Sequence, residues 1–392
     1  MNVALVHESL THIGGAERVL AELHQLFPRA PMYALYHDES VVRALFPDAE
    51  VRLSFLRHVP RFIRRHERLF LPVLPVVAET FDLSGYDVVL SSASAFAKGV
   101  VTRPGTLHIC YCHSPTRYVW DWYPNVLDEH GMRGIRRGAL VLLLHYLRLW
   151  DQSAARRVDR FVTNSRATQG RIKKYYRRDA DIIYPPVDIE RFTPQKTNKG
   201  YFLVVSRLSP YKRVDLAVNT FNKLELPLVV IGEGRDRSRL ERMAGPTISF
   251  QGFVSDGELP RWYAGARAII FAGEDDFGIV PVEAMASGKP VIAFRRGGAL
   301  ETIVEGITGE FFDEPLEAVL AETVRQFLEK ETTYDPLVIR RHAEQFSRAC
   351  FRSTLMKYVE QAWDQWQAER QERSTVHSSE VKVPAHNSEG ND

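Results

Sequence analysis

The sequence contains little cysteine, and this scarcity excludes a fold that disulfide bonds hold together. Only Cys110, Cys112 and Cys350 occur among 392 residues, and the first two are separated by a single residue in an apolar run. Free thiols in such runs are usually small buried side chains. Because so few cysteines suit a reducing compartment, we expect a cytoplasmic protein.

Long apolar runs and a strong excess of charge are also absent. The first residues lack the basic and apolar regions of a signal peptide and predict a strand instead. The most apolar later stretch, residues 139–150, contains His145 and Arg148 and is too short to span a bilayer. The net charge of +2 argues against nucleic-acid binding through bulk charge. We therefore expect neither a transmembrane nor a nucleic-acid-binding protein.

Short apolar runs instead alternate with helical periodicities along the chain. This alternation is typical of βαβ units and predicts an α/β protein with parallel sheets. The predicted strands are residues 2–6, 32–35, 87–91, 107–112, 160–163 and 181–184, followed by 201–206, 228–232, 248–251, 268–271 and 290–294. The predicted helices are residues 16–27, 213–223, 237–243, 258–264, 280–287 and 348–369.

A break divides this series into two halves, and a chain of this length rarely forms a single core. Pro185 and Pro186, followed by the polar residues 193–200, predict an interdomain linker. We predict two doubly wound domains, residues 1–190 and 200–345, that face each other across a cleft. A helix over 346–370 is expected to cross back to the first domain, and the polar residues 371–392 are predicted to be disordered.

Residues 271–290 carry the most informative motif. A predicted strand ends near its start, a loop follows with three consecutive acids, and a helix then begins. The backbone N–H groups of Gly278, Ile279 and Val280 lie at the start of this helix, where they can bind phosphate oxygens. Glu283 lies about one turn further and can face the same crevice. The acids alone would equally fit a solvated loop, or a site for a hard cation.

This segment resembles the signature of glycosyltransferase family 4, which has two acids separated by seven residues and then Ala-Met-Ala-x-Gly-x-Pro. Asp275 and Glu283 have this spacing. The resemblance implies a GT-B fold with two Rossmann-like domains, a nucleotide-sugar donor, retention of anomeric configuration and catalysis without a metal. It also implies that Glu283 binds the ribose and that Asp275 contacts the donor sugar. The family usually has glutamate at the first position, so Asp275 is about one methylene shorter.

A second element, residues 205–213, follows the first strand of the second half. Arg207 and Lys212 match the family's diphosphate-binding pair in type and spacing. Preorganised cations of this kind stabilise the negative charge that develops on a diphosphate leaving group. The turn at Gly232 and Gly234 resembles half of a dinucleotide-binding fingerprint without its third glycine, so we predict no NAD site. The turn before Gly252 is expected to border the base.

The first half contributes a glycine-rich loop and a histidine. Gly14 and Gly15 follow the first strand and allow the backbone to approach a ligand closely. In the family this loop lies beside the donor phosphates and the acceptor. His113 ends a predicted strand and corresponds to the family's active-site histidine, which hydrogen-bonds the transferred sugar. By itself, a single histidine is more often a structural residue.

The stretch from His113 to Asp121 has the sequence His-Ser-Pro-Thr-Arg-Tyr-Val-Trp-Asp. It resembles bacterial mannosyltransferases of the family that build exopolysaccharide or O-antigen (lipopolysaccharide) repeat units on polyprenyl diphosphate. The resemblance implies GDP-mannose as donor and a lipid-linked saccharide as acceptor. The acceptor-site candidates are Arg117, Tyr118, Trp120 and Asp121. Such side chains pack against sugar faces but also fill cores.

Basic and apolar residues interleave in two further regions, residues 57–70 and residues 133–149. Segments of this type suit an anionic lipid surface, and they equally suit a solvated helix face. With a lipid-linked acceptor, the first interpretation predicts a peripheral protein at the inner face of the cytoplasmic membrane.

Three other hypotheses remain open at this point. They are a transferase of the same family that uses a UDP-sugar, a non-hydrolysing nucleotide-sugar epimerase, and a non-catalytic subunit that binds a sugar nucleotide. An epimerase needs no acceptor, so the aromatic residues within 118–123 favour transfer. The shorter acid at Asp275 leaves the non-catalytic subunit open.

Overall fold

The computed structural model describes residues 1–59, 70–129 and 133–380 and contains two parallel β-sheets. The strands of the first sheet are β1 Val3–Leu10, β2 Met32–His37, β3 Val51–Leu53, β4 Val88–Ala93, β5 Leu107–Cys112, β6 Arg160–Thr163 and β7 Asp181–Ile182. Those of the second are β8 Tyr201–Val205, β9 Leu228–Ile231, β10 Ile248–Gly252, β11 Ala266–Phe271, β12 Val291–Phe294 and β13 Gly309–Phe312. The predicted architecture of two doubly wound parallel sheets is confirmed.

Helices connect the strands, as parallel pairing requires. In the first half they are α1 Gly15–Leu26, α2 Glu39–Leu45, α3 Leu74–Glu79, α4 Tyr123–Glu129, α5 Gly134–Arg156 and α6 Arg166–Tyr176. In the second half they are α7 Val214–Leu224, α8 Arg237–Met243, α9 Leu259–Gly265, α10 Ile279–Ala286, α11 Ala299–Thr302, α12 Glu317–Lys330, α13 Pro336–Ala343 and α14 Arg348–Glu380. Among the described residues, no helix is long and apolar enough to cross a membrane.

The strand order of each sheet reverses at one point. The first sheet has the order β3-β2-β1-β4-β5-β6-β7, and the second has the order β10-β9-β8-β11-β12-β13. The connections therefore leave β1 and β4, and likewise β8 and β11, in opposite directions. Such a reversal opens a crevice at the carboxyl ends of the two strands, where ligands bind in sheets of this kind.

The proline-containing connection between the sheets is packed into the second domain. Val187, Ile189 and Phe192 are buried in its core. The Val187 N–H donates to the Phe346 carbonyl at 2.9 Å, and the guanidinium of Arg340 donates to the carbonyls of Ile189 and Phe192 at 2.7 Å. The segment that composition predicts to be a linker is thus a packed crossover.

The last helix returns to the first sheet. Phe351, Leu355 and Val359 of α14 are buried in a first-domain cluster with residues of β1 and α1, and Arg352 donates to Glu22 of α1 at 2.7 Å. The helix includes residues 371–380 of the segment for which composition predicts disorder. Residues 381–392 lie outside the described residues, as do residues 60–69 of the basic segment 57–70.

Candidate active site

The two switch-point crevices face each other, and the predicted loops meet between them. A Cβ atom added to Gly15, at the start of α1, would lie 3.3 Å from Cδ1 of Ile279, the first residue of α10. The glycine-rich loop after β1 and the motif helix after β11 therefore touch across the cleft. Gly14 precedes the helix in extended conformation, and its N–H donates to Glu17 at 2.9 Å.

Gly278 shapes the start of α10. Its φ of 84° lies in the left-handed region that favours glycine, and the helix begins directly after it with Ile279 and Val280. Pro281 occupies the first turn, where its missing N–H costs nothing. The Ile279 side chain at this end of the helix lies next to Gly15, and the free N–H groups of a helix start can bind an anion.

Glu283, one turn into α10, is a buried carboxylate with 5% of its surface exposed. The Tyr263 hydroxyl donates to it at 2.9 Å. Arg18 of α1 approaches to 3.7 Å and Arg191 to 3.5 Å. Burial raises the pKa of Glu283, while the Tyr263 hydrogen bond and the two arginines act in the opposite direction. Both domains thus contribute to the surroundings of this acid.

Lys212 and Asp275 form an ion pair. Lys212 lies in a short 3-10 turn after β8, and Asp275 lies in the loop after β11. Because β8 and β11 are neighbours in the sheet, the two loops meet, and the shorter aspartate reaches the lysine. Arg207 is exposed, and no residue in the described part of the chain forms an ion pair with it.

His113 follows β5 and belongs to a chain of hydrogen-bonded side chains that the sequence did not reveal. Its Nε2 atom lies 2.8 Å from the Ser92 hydroxyl, which lies 3.1 Å from Nδ1 of His7. His7 in turn approaches Glu17 at 3.6 Å, the residue that binds the Gly14 N–H. The sequence did not predict these hydrogen bonds, because His7, Ser92 and His113 lie on or after three different strands. A single serine or histidine in a strand does not by itself indicate a functional site.

The ionisation of these hydrogen-bonded side chains depends on their burial and on their contacts with each other. Burial, and to a smaller extent the neighbouring His7, lower the pKa of His113 to about 3, so the imidazole is neutral at neutral pH. Burial raises the pKa of Glu17, but its contacts with His7 outweigh burial and leave the value below the ordinary one. With Nε2 engaged by Ser92, the Nδ1 atom of His113 is the ring nitrogen that can bind a substrate.

Substitution of Ser92 by alanine is expected to lower the rate of glycosyl transfer by about tenfold, because His113 loses the partner that fixes its ring. Ser91→Ala is the matched control, since Ser91 makes the same 2.8 Å bond to Nε2 of the buried His108. Both variants should lose similar thermal stability, measured by calorimetry. Equal activities for the two variants would show that Ser92 has only a structural role.

The acceptor segment, residues 113–121, is divided between the cleft and the core. Trp120 donates to Asp151 of α5 at 2.7 Å and stacks on Tyr175 of α6, with ring centroids 4.8 Å apart. These contacts lie within the first domain, so Trp120 anchors the segment. Several polar atoms of the segment are buried without a hydrogen-bond partner among the described residues, namely Ser114 Oγ, Arg117 Nε, Tyr118 OH and Asp121 Oδ1.

Arg117 and Asp121 belong to an ion cluster that spans the cleft. Arg171 of α6, which sequence analysis missed, lies 3.4 Å from Asp121 and pairs with Asp276 of the second domain. Arg117 lies 3.6 Å from Asp121 and 3.9 Å from Asp276. Asp275 and Asp276 therefore pair with different basic side chains. In the described ranges, no three His, Cys, Asp or Glu side chains form a group that could hold a metal ion.

A buried ion pair contacts the acceptor segment on the side of the first-domain core. Lys98 is fully buried and pairs with Asp151, which also accepts from the Thr116 hydroxyl at 2.6 Å. Burial lowers the pKa of Lys98, but Asp151 outweighs this effect and raises the pKa above its ordinary value. Removing one partner of such a pair leaves an uncompensated buried charge, so the pair holds the segment firmly.

Solved structures identify the fold to which this arrangement belongs. HepE of Anabaena in complex with UDP matches with a TM-score of 0.68 at 16% identity, over 92% of this chain and 100% of that chain. The lipopolysaccharide outer core galactosyltransferase WaaB in its apo form matches with a TM-score of 0.64 at 17% identity, over 92% and 99%. The fold is the GT-B fold of glycosyltransferases.

Family models match both halves of the chain. The model for Glycosyltransferase Family 4 matches residues 13–191, and the model for glycosyl transferases group 1 matches residues 187–345. Both models describe glycosyltransferases and together span residues 13–345, so the chain is a glycosyltransferase that is similar to family 4.

Two curated relatives carry mannosyltransferase names. The GDP-mannose-dependent alpha-mannosyltransferase of Mycobacterium tuberculosis (strain CDC 1551) is 29% identical over 334 residues, which are 79% of this chain and 83% of that protein. The alpha-1,3/1,6-mannosyltransferase ALG2 of Mus musculus is 29% identical over 242 residues, which are 51% of this chain and 58% of that protein. Together with the family models, these relatives support the prediction that the protein is a glycosyltransferase.

Proposed function

We propose that the protein transfers mannose from GDP-mannose to a lipid-linked saccharide in bacterial polysaccharide biosynthesis, with retention of anomeric configuration. The two mannosyltransferase relatives support the sugar. The resemblance of residues 113–121 to polyprenyl-diphosphate mannosyltransferases supports the acceptor. One observation at the base end of the pocket, the position of Asp256, carries the choice of nucleotide.

Asp256 lies in the loop after β10 and is linked to the predicted ribose acid. Arg18 and Arg191 each bind Asp256 at 3.0 Å, and the same arginines approach Glu283. A nucleotide with its ribose on Glu283 would extend its base toward Asp256. Guanine has an N–H and an amino group side by side, which a carboxylate can accept together, whereas uracil has one N–H between two carbonyls. This arrangement supports our proposal of GDP rather than UDP as the donor nucleotide.

The proposed chemistry uses basic side chains, helix N–H groups and His113. Arg207, Lys212 and the N–H groups at Ile279 and Val280 would bind the diphosphate as its negative charge develops. His113 Nδ1 would hydrogen-bond a donor-sugar hydroxyl. We propose that the acceptor hydroxyl attacks from the face that the diphosphate leaves and gives its proton to the leaving phosphate. The positive groups of the protein would take the place of a metal, so chelation should leave activity unchanged.

A donor panel with radiolabelled GDP-mannose and UDP-sugars tests this proposal. The native protein is expected to hydrolyse or transfer from GDP-mannose, and Asp256→Asn is expected to lower kcat/KM for this donor by about tenfold or more, because one guanine N–H loses its acceptor. Glu258→Gln, in the same exposed loop, is the matched control and should leave kcat/KM unchanged. Turnover of UDP-sugars alone would reject GDP-mannose as the donor.

A further inference from the structure

Helix α5 exposes an apolar stripe on the surface of the first domain. The exposed apolar side chains of this helix and their exposed fractions are Ile135 92%, Leu142 71%, Tyr146 44% and Leu149 56%. Their spacing of seven, four and three residues places them on one face. Leu144 and Leu147 point to the core. An exposed helix normally turns its polar face to water, so this stripe requires a partner.

The charged side chains that α5 and its N-cap residue expose are all basic. Arg133, Arg136 and Arg137 are exposed at the start of α5, and the first turn contains no acid. Cations at this end oppose the helix dipole, so helix stability does not explain them. The one carboxylate of the helix is Asp151, which is buried and bound to Lys98. The exposed start of α5, next to Ile135, therefore attracts an anionic surface, and the stripe that runs along the helix favours an apolar one.

The opposite face of α5 holds the acceptor segment. Arg148 donates to the Val119 carbonyl at 2.6 Å, and Asp151 accepts from Thr116 and Trp120. A helix that lay in a lipid headgroup layer would thus keep residues 113–121 next to that layer, where the saccharide of a lipid-linked acceptor is found.

We propose that Ile135, Leu142, Tyr146 and Leu149, with the arginines at 133, 136 and 137, bind the surface of an anionic lipid bilayer. The proposal rests on the proposed function, because a lipid-linked acceptor is the reason for the enzyme to lie there. Amphipathic helices with basic and apolar residues bind membranes in this way. A second copy of the chain fits less well, because the exposed face of α5 offers no carboxylate to pair with these arginines.

The test is flotation of the full-length protein with vesicles of phosphatidylcholine, with and without phosphatidylglycerol. The native protein should float with the anionic vesicles, and binding should weaken as salt is raised. Ile135→Gln with Leu142→Gln should lower partitioning by about tenfold for each side chain. Arg136→Gln with Arg137→Gln should remove the preference for phosphatidylglycerol. Leu337→Gln is the control, because Leu337 is equally exposed, at 66%, on α13 of the second domain.

Two further measurements separate the outcomes. Hydrolysis of GDP-mannose in the absence of lipid should be the same in the native protein and in all these variants. If the native protein does not hydrolyse GDP-mannose, that result counts against the proposed function and not against membrane binding. Light scattering should give one oligomeric state for the native protein and the glutamine variants. Flotation that does not depend on the stripe, no binding to anionic vesicles, or a native oligomer that the glutamine variants dissociate would each overturn the proposal.

Discussion

Substitution of Lys212 by alanine is expected to lower kcat by about two to three orders of magnitude, with a smaller change in KM. Lys212 lies beside Asp275 and next to the start of α10 in the fold, where the diphosphate of the donor is expected. A cation in this position interacts most strongly with the leaving group when its charge has developed. Steady-state kinetics with GDP-mannose, or with the donor that the panel identifies, measures the effect.

Two variants make the Lys212 result specific. Lys223→Ala removes an exposed lysine that pairs with Glu317 on α12, away from the cleft, and should leave kcat unchanged. Lys212→Arg keeps the charge but changes its position, so it should retain intermediate activity. An alanine variant with more than about a third of the native kcat would exclude a role for Lys212 in leaving-group stabilisation.

Substitution of Glu283 by glutamine is expected to lower kcat/KM for the donor by about a hundredfold or more, mainly through KM. Two ribose hydroxyls would each lose a hydrogen bond to a charged acceptor, and such bonds contribute about 1.5–3 kcal/mol. Glutamine preserves the size of the side chain and its contact with Tyr263. Calorimetric titration with GDP measures the loss of affinity directly.

Glu310→Gln is the matched control for this substitution. Glu310 is also a buried glutamate to which a tyrosine hydroxyl, that of Tyr334, donates at 2.7 Å, but it lies on β13 at the edge of the second sheet. Both variants keep the tyrosine contact, and only Glu283→Gln should weaken GDP binding. Native affinity for GDP in that variant would mean that the nucleotide binds elsewhere.

The pH dependence of donor binding provides an independent check on Glu283. Burial raises the pKa of this acid above its ordinary value, while Tyr263, Arg18 and Arg191 oppose the shift. The carboxylate form that accepts ribose hydroxyls is therefore lost as the pH falls through the raised pKa. Affinity for GDP should decrease on acidification in the native protein and change less in Glu283→Gln.

The sequence determined many of the strands and helices of this protein and the chemistry at their ends, although helices such as α2, α3, α6 and α12 were not predicted. Apolar runs of strand length alternate with helical periods, so strands β5 and β6 and helix α8 lie at the predicted residues. The short edge strands β3 and β13 were missed, because few residues carry their pattern. The motif over 271–290 identified Gly278 and Glu283, since a glycine before an apolar helix with an acid one turn in is a local feature.

Only the tertiary structure decided which strand and helix ends lie next to each other. Lys212 and Asp275 pair because β8 and β11 are neighbours, and Ser92 reaches His113 because β4 lies beside β5. Arg171 joins the cleft from a helix whose sequence contains no motif. The stripe on α5 is exposed because the sheet accommodates only one face of that helix. Periodicity acts over a few residues, whereas strand order brings together residues far apart in the chain, so the local elements followed from sequence and the site from their packing.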